Sequence, residues 1–287
     1  MQLVSEDQAY YTLKTVNTLR DKVVIITGAS SGIGMALACA LPACGARIVL
    51  AARNQEKLNE IVSRLSAKGV EALAVQTDVS IEEDCRKLIE KTVEHYGKID
   101  VLINNAGISM RALFSELHLD VIRRLIDVNF WGTVYCTKFA LPYLLQTKGS
   151  VVGVISIAGH VGLPGRTGYS ASKFAMRGFL DALRSEHTKT GLHVLVVAPG
   201  FTTSNIRKVA LNAEGNTQGE SPRDENKMMS AETVAGHIIK GIVRKQNSIV
   251  LTFKEGKFTV WLNKFFPTLV SRLAYKHMSK ETDSPFK

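Results

Sequence analysis

Seven short apolar runs, separated by longer amphipathic segments, constrain the fold of this chain more than any other feature of its sequence. Each run is rich in valine and isoleucine and almost free of polar residues, which is typical of strands that helices cover on both faces. The runs are KVVIIT (22–27), RIVLAA (47–52), EALAVQ (71–76), DVLINN (100–105), VVGVIS (151–156), HVLVVA (193–198) and SIVLTF (248–253).

The segments between these runs predict helices. QEKLNEIVSRLSAKG and EEDCRKLIEKTVEHYG repeat apolar residues at helical spacing, and each ends in a glycine suited to a helix C-terminus. Alternating strands and helices favour right-handed crossovers and a parallel sheet. We therefore expect a single-domain α/β fold, a doubly wound, Rossmann-type sheet of seven parallel strands with helices on both faces. Ligands of such sheets bind beyond the carboxyl ends of the strands.

Four regions organise the 287 residues. We expect an N-terminal extension over 1–20, a catalytic domain over 21–254 and a basic amphipathic C-terminal extension over 255–287. Residues 201–230 are polar and lack periodicity, and a loop of that length in a compact domain is typical of a substrate lid.

Composition excludes several classes of protein. No run of 18 uninterrupted apolar residues predicts a spanning helix, and the N-terminus has no apolar stretch long enough for a signal peptide. The four cysteines form no CxxC pair and no cluster with histidine, so we expect reduced core thiols, no metal site and a cytoplasmic protein. They are Cys39, Cys44, Cys85 and Cys136.

The net charge of +10 is concentrated at one end of the chain. Residues 254–287 carry seven lysines and arginines against three acids, which is +4 of the total. We find no arginine-rich helix and no interleaved basic and aromatic surface, so a nucleic-acid partner is not expected. An anionic cofactor or an acidic lipid surface fits this charge better.

A glycine-rich turn, TGASSGIG at residues 27–34, follows the first apolar run. Gly28, Gly32 and Gly34 allow a sharp turn, and they let the backbone of Ser30, Ser31 and Ile33 approach a diphosphate at a helix N-terminus. The spacing is GxxxGxG rather than GxGxxG, so the dinucleotide-binding motif is a variant. Taken alone, the turn is equally compatible with a tight strand-to-helix connection.

Together with six further motifs, this turn makes the sequence resemble the short-chain dehydrogenase/reductase family over roughly residues 20–255. The motifs, in the order of the family, are TGASSGIG (27–34), DV (78–79), NNAG (104–107), Asn129 in DVNFWG, Ser156 in VISIAG, YSASK (169–173) and PG (199–200). The C-terminal extension is similar to that of the family's hydroxysteroid- and lipid-active branches.

The resemblance implies a catalytic set of Ser156, Tyr169, Lys173 and Asn129. In such enzymes the tyrosine exchanges a proton with the substrate oxygen, the serine binds that oxygen, and the asparagine supports a proton path through the lysine. A free phenol has a pKa of about 10, too high for good proton exchange near neutrality. A lysine charge roughly 5 Å away favours phenolate by about 3 kcal/mol at an effective dielectric of about 20, which requires that water be excluded. Without the other motifs, Tyr169 and Lys173 at this spacing would indicate only an ordinary exposed face of a helix.

The resemblance also implies a nicotinamide dinucleotide. Arg53, where NAD-preferring relatives have an acidic residue, suits a 2′-phosphate, so NADPH/NADP⁺ is expected and NADH is less favoured. Ser31 stands where many NADP-dependent relatives have a basic residue, and Ser204 stands where threonine is frequent. The remaining expected cofactor contacts are Asp78, Val79, Asn105, Ala106, Gly107, Pro199, Gly200 and Thr202.

The C-terminal extension carries the last prediction. Residues 257–278 place aromatic and aliphatic residues at helical spacing among basic ones, which fits either packing on a protein surface or peripheral contact with a membrane. The chain is therefore predicted to be an NADPH-dependent carbonyl reductase that transfers a hydride between nicotinamide and an apolar, lipid-like ketone or secondary alcohol, in a homodimer or homotetramer. The alternatives are a 3-ketoacyl-thioester reductase and a catalytically silent NADP(H)-binding sensor.

Overall fold

All seven predicted strands pair into one parallel sheet, as expected. In the computed structural model, which describes residues 18–220, 228–281 and 284–286, the spatial order is β3-β2-β1-β4-β5-β6-β7. The strands are β1 (Val23–Thr27), β2 (Arg47–Ala52), β3 (Ala72–Gln76), β4 (Val101–Asn104), β5 (Ser150–Val154), β6 (His193–Ala198) and β7 (Ser248–Val250). The order reverses direction between β1 and β4, and this reversal opens a crevice at the carboxyl ends of the strands.

Two strands end two or more residues earlier than the sequence predicts. Ser156 was placed at the end of β5, but it lies two residues beyond it, where its Oγ accepts a hydrogen bond from the backbone N–H of Ala158. Ser156 thus begins a short 3₁₀ helix instead of closing the strand. β7 ends at Val250 rather than at residue 253, because Thr252 adopts a left-handed conformation with φ +65° that no strand continues.

Nine α-helices connect the strands within the described residues. They are α1 (Gly32–Ala40), α2 (Gln55–Ser66), α3 (Glu82–Tyr96), α4 (Leu119–Leu125), α5 (Gly132–Gln146), α6 (Thr167–Glu186), α7 (Ala231–Val243), α8 (Thr259–Phe265) and α9 (Pro267–Met278). The predicted glycine end of α3 is present, since Gly97 follows the helix at φ +73°. The predicted glycine end of α2 is present as well: the helix ends at Ser66, and Gly69, at φ +73°, closes the turn that follows, where the Gly69 N–H donates to the Ser66 carbonyl oxygen at 2.9 Å and the Val70 N–H to that of Leu65 at 3.0 Å.

The core consists of two clusters, one on each face of the sheet. Alternate residues of β1 point to opposite faces, so that Ile26 packs in one cluster and Ile25 in the other, and both are fully buried. Burial of side chains of this size stabilises the fold by about 1.5–3 kcal/mol each. A third, smaller cluster lies beyond the sheet edge and includes Met110, Val121 and Leu211. It attaches the polar loop to the body of the domain.

One of the cysteine predictions is wrong. Cys44, Cys85 and Cys136 are buried, but Cys39 is exposed near the end of α1, so it is no core thiol. None of the four forms a disulfide. No group of three or more histidine, cysteine, aspartate or glutamate side chains within the described ranges is arranged to hold a metal ion. Across residues 18–220, 228–281 and 284–286, every helix is too short or too polar to cross a bilayer.

The described residues include only part of the N-terminal extension, of the predicted lid and of the C-terminal extension. Residues 1–17 of the N-terminal extension and 221–227 of the predicted lid lie outside the described residues. The described part of the lid contains neither helix nor strand, but isolated bridges tie Leu211 to Met110 and Thr202 to Met229. The C-terminal extension folds into α8 and α9, and Pro267 separates them by starting the second helix.

Candidate functional site

A cleft of about 760 Å³ opens at the carboxyl ends of the strands, where the sheet order reverses. The turns after β1, β2, β3, β4, β5 and β6 all line it, together with α6 and the loop after β6. Its position is the one that a doubly wound sheet predicts for a ligand.

The glycine-rich turn forms one wall of the cleft. Gly28 has φ +65° and lies so close to the next loop that an added Cβ would come within 2.8 Å of Ala106 Cα. Gly34 is even more confined, because its Cβ would lie 2.2 Å from the Gly28 carbonyl oxygen. Gly34 is not among the residues that line the cleft, so its predicted cofactor contact stays a prediction. Its small size permits α1 to pack against the turn.

A buried threonine and an asparagine hold this wall in place. Thr27 Oγ1 accepts hydrogen bonds from the backbone N–H groups of Asn105 and Ala106, both at 3.0 Å. The Asn105 side-chain amide donates to the carbonyl oxygen of Thr27 at 2.9 Å. Asn105 was predicted to flank a ribose, and it does line the cleft. Its amide, however, is used to join the ends of β1 and β4.

Basic side chains line the end of the cleft beyond β2. Arg53 is exposed there, as the sequence predicts, and Lys57 joins it from the first turn of α2. Asn54 caps that helix, since its Oδ1 accepts from the Lys57 N–H at 2.9 Å. Asp78 and Val79 line the same end. One Asp78 carboxylate oxygen accepts from the hydroxyl of Ser80, which fixes the turn after β3.

The remaining predicted cofactor residues also line the cleft. They are Ser30, Ser31, Gly32, Ile33, Ala106, Gly107, Pro199, Gly200, Thr202 and Ser204. Ser204 lies over the turn, because a Cβ on Gly32 would come within 3.1 Å of Ser204 Cβ. The polar loop therefore contacts the glycine-rich wall.

The residues present fit an anionic dinucleotide. The side chain of Ser31 makes no capping hydrogen bond to the first turn of α1, so that turn directs backbone N–H groups toward the cleft without a competing acceptor from its own cap. An arginine and a lysine stand at one end of the same cleft, and they suit phosphate oxygens.

Tyr169 and Lys173 line the other end of the cleft from one face of α6. Lys173 Nζ lies 5.9 Å from the centre of the Tyr169 ring, so the predicted pairing of phenol and ammonium on one helix face is present. Ser156 also lines this end, close enough to the Tyr169 hydroxyl to lower the pKa of the phenol. The structure thus brings three of the four predicted catalytic residues together.

The charge that acts on Tyr169 differs from the one that the sequence argument used. Burial raises the pKa of Tyr169, while the hydrogen bond with Ser156 and the charges of Arg166 and Arg207 lower it. Lys173 is not among these causes, and the sequence argument gave it an effect on the phenol only where water is excluded from the pair. The phenol is protonated near neutrality, which suits a proton donor.

Burial disfavours the positively charged form of Lys173. The side chain is 3% exposed, and burial lowers the pKa of Lys173 to about 7. Nζ donates to the Val154 carbonyl oxygen at 3.1 Å, which holds the amine at the end of β5. A lysine that is easily neutralised near pH 7 requires an additional partner before it becomes a permanent cation.

Asn129 lies behind the cleft rather than in its wall. It is fully buried within a π-helical turn between α4 and α5, over Ile126–Trp131. Its amide accepts from the Ile108 N–H at 2.8 Å and donates to the Ile108 carbonyl at 3.0 Å and to Ser172 Oγ at 2.8 Å. Asn129 and Lys173 approach the same spot beside Gly107. π-Helical turns of this kind are frequent at functional sites.

Three cationic residues of the site were missed by the sequence reasoning. Lys57 follows Arg53 by four residues, about the length of one helical turn, and this spacing could have been recognised in the sequence. Arg166 stands three residues before Tyr169, and Arg207 lies in the polar loop. Neither belongs to a recognisable motif, so only the folded chain shows that both reach the tyrosine.

Comparisons with known proteins agree with the family resemblance found in the sequence. The family model described as short chain dehydrogenase matches residues 22–215. Dehydrogenase/reductase SDR family member 7B of Mus musculus is 33% identical over 93% of this chain and 84% of its own length. An 11-beta-hydroxysteroid dehydrogenase 1A of Arabidopsis thaliana is 35% identical over 84% of this chain and 71% of its own length.

Solved structures share the fold. An alcohol dehydrogenase of the archaeon Thermococcus sibiricus, in complex with 5-hydroxy-NADP, aligns with a TM-score of 0.71 at 26% identity, covering 80% of this chain and 94% of its own. A short-chain dehydrogenase/reductase of Burkholderia phymatum, in complex with NAD, gives 0.73 at 24% identity, covering 81% and 89%. The second likeness shows the fold alone.

Proposed function

Since the chain belongs to the short-chain dehydrogenase/reductase family, we propose that it is an NADPH-dependent reductase of apolar, lipid-like ketones. One observation carries the proposal: Tyr169, whose pKa burial raises, lines one cleft together with Ser156, and the opposite end of that cleft carries Arg53 and Lys57. Proton donor and dinucleotide-binding elements therefore share one cavity.

The catalytic residues act on the substrate oxygen. A bound nicotinamide supplies a hydride to the carbonyl carbon. Tyr169 donates its proton to the carbonyl oxygen, and Ser156 donates a hydrogen bond to that oxygen and orients it. Lys173 would hold the ribose of the bound cofactor and pass a proton back to the phenol, and Asn129 would support the supply of that proton to the lysine.

The preference for NADPH rests on the charge beyond β2. We place the 2′-phosphate of an adenosine ribose beside Arg53 and Lys57, which line the cleft beyond β2. Within the described residues no acidic side chain lines the cleft between them. Asp78, the acidic residue in the lining, sits on the next turn and is engaged by Ser80.

Apolar side chains at the substrate end support the choice of substrate. They come from the loops after β4, β5 and β6, and are Ile108, Leu163, Phe201, Ile206, Val209 and Ala210. A relative that matches most of this chain is named a hydroxysteroid dehydrogenase, and steroids are rigid apolar alcohols and ketones. We propose the same physical class here.

A ketone panel tests the proposal. Steroid, fatty-acyl and sphingoid ketones, with acetoacetyl thioesters beside them, are offered with NADPH or NADH, and turnover is read at the nicotinamide absorbance. We expect turnover of apolar ketones with NADPH. Turnover confined to thioesters would favour the thioester reductase, and tight NADPH binding with no turnover on any ketone would favour the silent sensor.

We further propose that the exposed face of α8 and α9 rests on an anionic membrane surface. α8 has no buried residue, and the exposed fractions of Trp261, Phe265 and Leu273 are 53%, 63% and 51%. Three exposed cations lie along the same helices, Lys264, Arg272 and Lys276, and a fourth, Lys257, lies just before α8. Aromatic and aliphatic groups beside cations suit the plane of an acidic bilayer. α9 is attached to the domain by its opposite side, where Val270 and Met278 are buried.

Vesicle sedimentation tests this contact. The full-length protein should bind vesicles containing phosphatidylglycerol more strongly than pure phosphatidylcholine vesicles, and added salt should weaken the binding. The double change Phe265→Ser with Leu269→Ser should lower the bound fraction about tenfold, whereas Phe114→Ser, at another exposed aromatic outside the extension, should not. Unchanged vesicle binding with a smaller particle in light scattering would show that the face joins subunits of the predicted dimer or tetramer instead.

A further inference from the structure

A buried carboxylate near the C-terminus joins two arginines at the substrate end of the cleft. Glu281 Oε2 lies 3.3 Å from Arg111 Nε and 3.4 Å from Arg166 Nη2. The side chains are 4%, 9% and 9% exposed, so all three charges are removed from bulk water together. Buried charges persist in folded proteins when they are paired in this way.

Each arginine belongs to a different part of the substrate end. Arg166 directly precedes α6, three residues before Tyr169, and its Nη1 donates to the Met110 carbonyl oxygen at 3.4 Å. Arg111 donates its backbone N–H to the carbonyl oxygen of Leu211, at 2.8 Å, in the polar loop. The carboxylate therefore connects the loop after β4, the start of the tyrosine helix and the polar loop.

The segment around Glu281 packs against the turn that leads into α6. Ser284 Oγ donates to the Met278 carbonyl at 3.1 Å, and the rings of Tyr275 and Phe286 lie 5.1 Å apart. Gly165, at φ +70°, faces this segment, and a Cβ there would come within 3.3 Å of the Phe286 ring. The end of the chain is thus fitted to the residues just before Tyr169.

We propose that Glu281 is a positioning residue for the reaction, whose carboxylate fixes the start of the tyrosine helix and balances one of the two buried arginine charges beside it. The proposal rests on the function proposed above. Glu281 does not line the cleft, so it acts through Arg166, which does.

The charges around the phenol give the proposal a direction that a purely structural contact lacks. The groups that face Tyr169 are Ser156, Arg166 and Arg207, with Lys173 one turn further along α6, and the two arginines already lower its pKa. Arg111, Arg166 and Glu281 sum to one positive charge. Neutralising Glu281 raises that sum to two and should lower the pKa of Tyr169. Neutralising Arg111 leaves a balanced pair and should raise it.

Two isosteric or near-isosteric variants test these opposite signs. In the reductase assay, activity falls at alkaline pH as Tyr169 loses its proton. Glu281→Gln should move that limb to lower pH and Arg111→Gln to higher pH, each by about half to one pH unit. The double variant should lie near wild type. Glu255→Gln, at an exposed carboxylate of the same C-terminal region, should leave the profile unchanged.

A second readout does not depend on turnover. The absorbance of tyrosinate is measured without cofactor, as the difference between each protein and the same protein with Tyr169→Phe. The pH at which this absorbance appears should move down in Glu281→Gln and up in Arg111→Gln. Shifts in one direction for both variants, or none in either assay, would overturn the proposal. If Glu281→Gln does not fold, Arg111→Gln and Glu281→Asp, which keeps the charge and should keep the profile, still decide the matter. Absence of ketone turnover in the wild type would instead reject the proposed function.

Discussion

The two ends of the cleft are built in different ways. The end beyond β1 and β2 is made from short contiguous motifs, in which the turn at 27–34 and the pair Arg53 and Lys57 lie within a few residues of a strand. The substrate end is assembled from the loops at 108–112 and 163–166, the polar loop after β6 and Glu281, which are far apart in sequence. The first end depends on local backbone geometry, and the second depends on tertiary contacts.

This difference has energetic consequences. A glycine turn with Cβ clearances of 2.2 to 2.8 Å tolerates almost no substitution. The substrate end is held by side-chain packing in a small cluster and by buried ion pairs, both of which can change while the sheet remains intact. We therefore expect substitutions at the two ends of the cleft to have different effects on cofactor binding, ketone turnover and stability.

The largest effect is expected where the two ends meet. Tyr169→Phe removes the proton donor and should lower kcat/KM for ketone reduction by about a thousandfold or more. NADPH affinity, followed by nicotinamide fluorescence, should stay within a few-fold of wild type. Tyr143→Phe on α5 serves as the control and should keep full activity. Retained turnover in Tyr169→Phe would remove this residue from the chemistry.

Lys173 lies beside the tyrosine, and its burial should appear as a pH dependence of stability. The folded protein binds the lysine proton with a pKa of about 7, against 10.5 for an unperturbed lysine, so the unfolded chain holds more protons between these values. The contribution of Lys173 to stability therefore improves as pH rises from 7 toward 10.5. Lys173→Met should raise the free energy of unfolding by on the order of 3 kcal/mol near pH 6.5.

Denaturant unfolding at pH 6.5, 8 and 9.5 measures this difference without cofactor. The increase in the free energy of unfolding that Lys173→Met produces should shrink steadily from pH 6.5 to pH 9.5. The same variant should lose ketone turnover. An advantage that stays constant with pH would mean that the lysine is not protonated in the way its burial requires.

At the adenosine end, Arg53→Ala should separate the two dinucleotides. We expect the Kd for NADPH to rise roughly 10- to 100-fold, since a charged, desolvated phosphate contact is lost, while NADH binding changes little. Arg64→Ala, at an exposed arginine in the last turn of the same α2, provides the matched control. Equal weakening of both dinucleotides would exclude Arg53 from a phosphate site.

The smallest effect on turnover should come from loosening the substrate end. Leu211→Ala removes a residue of the third cluster that is 3% exposed, and it should raise the KM for the ketone several-fold without changing NADPH affinity. Leu58→Ala, at a fully buried residue of α2, should instead lower Tm and leave the ketone KM unchanged. Identical consequences from both variants would mean that the two ends are not independent.

The sequence predicted the cofactor end well because its information is local. The apolar runs predicted all seven strands, and the glycine turn and Arg53 were found from their positions just after strands. It misplaced Ser156 by two residues and extended β7 too far, since φ at Thr252 and the capping of Ala158 by Ser156 leave no periodic signal. At Gly34 the close approach of the Gly28 carbonyl oxygen by itself requires a glycine, whatever the residue contributes to a cofactor site.

The amino-acid sequence by itself determined the fold, the family and the residues that line the dinucleotide side, because strand burial and glycine turns are encoded within a few consecutive residues. Tertiary structure alone decided which charges surround Tyr169. Arg166 and Arg207 lie in segments without periodicity or motif, and their effect on the pKa of Tyr169 arises from Coulomb interactions across space, where distance along the chain carries no information.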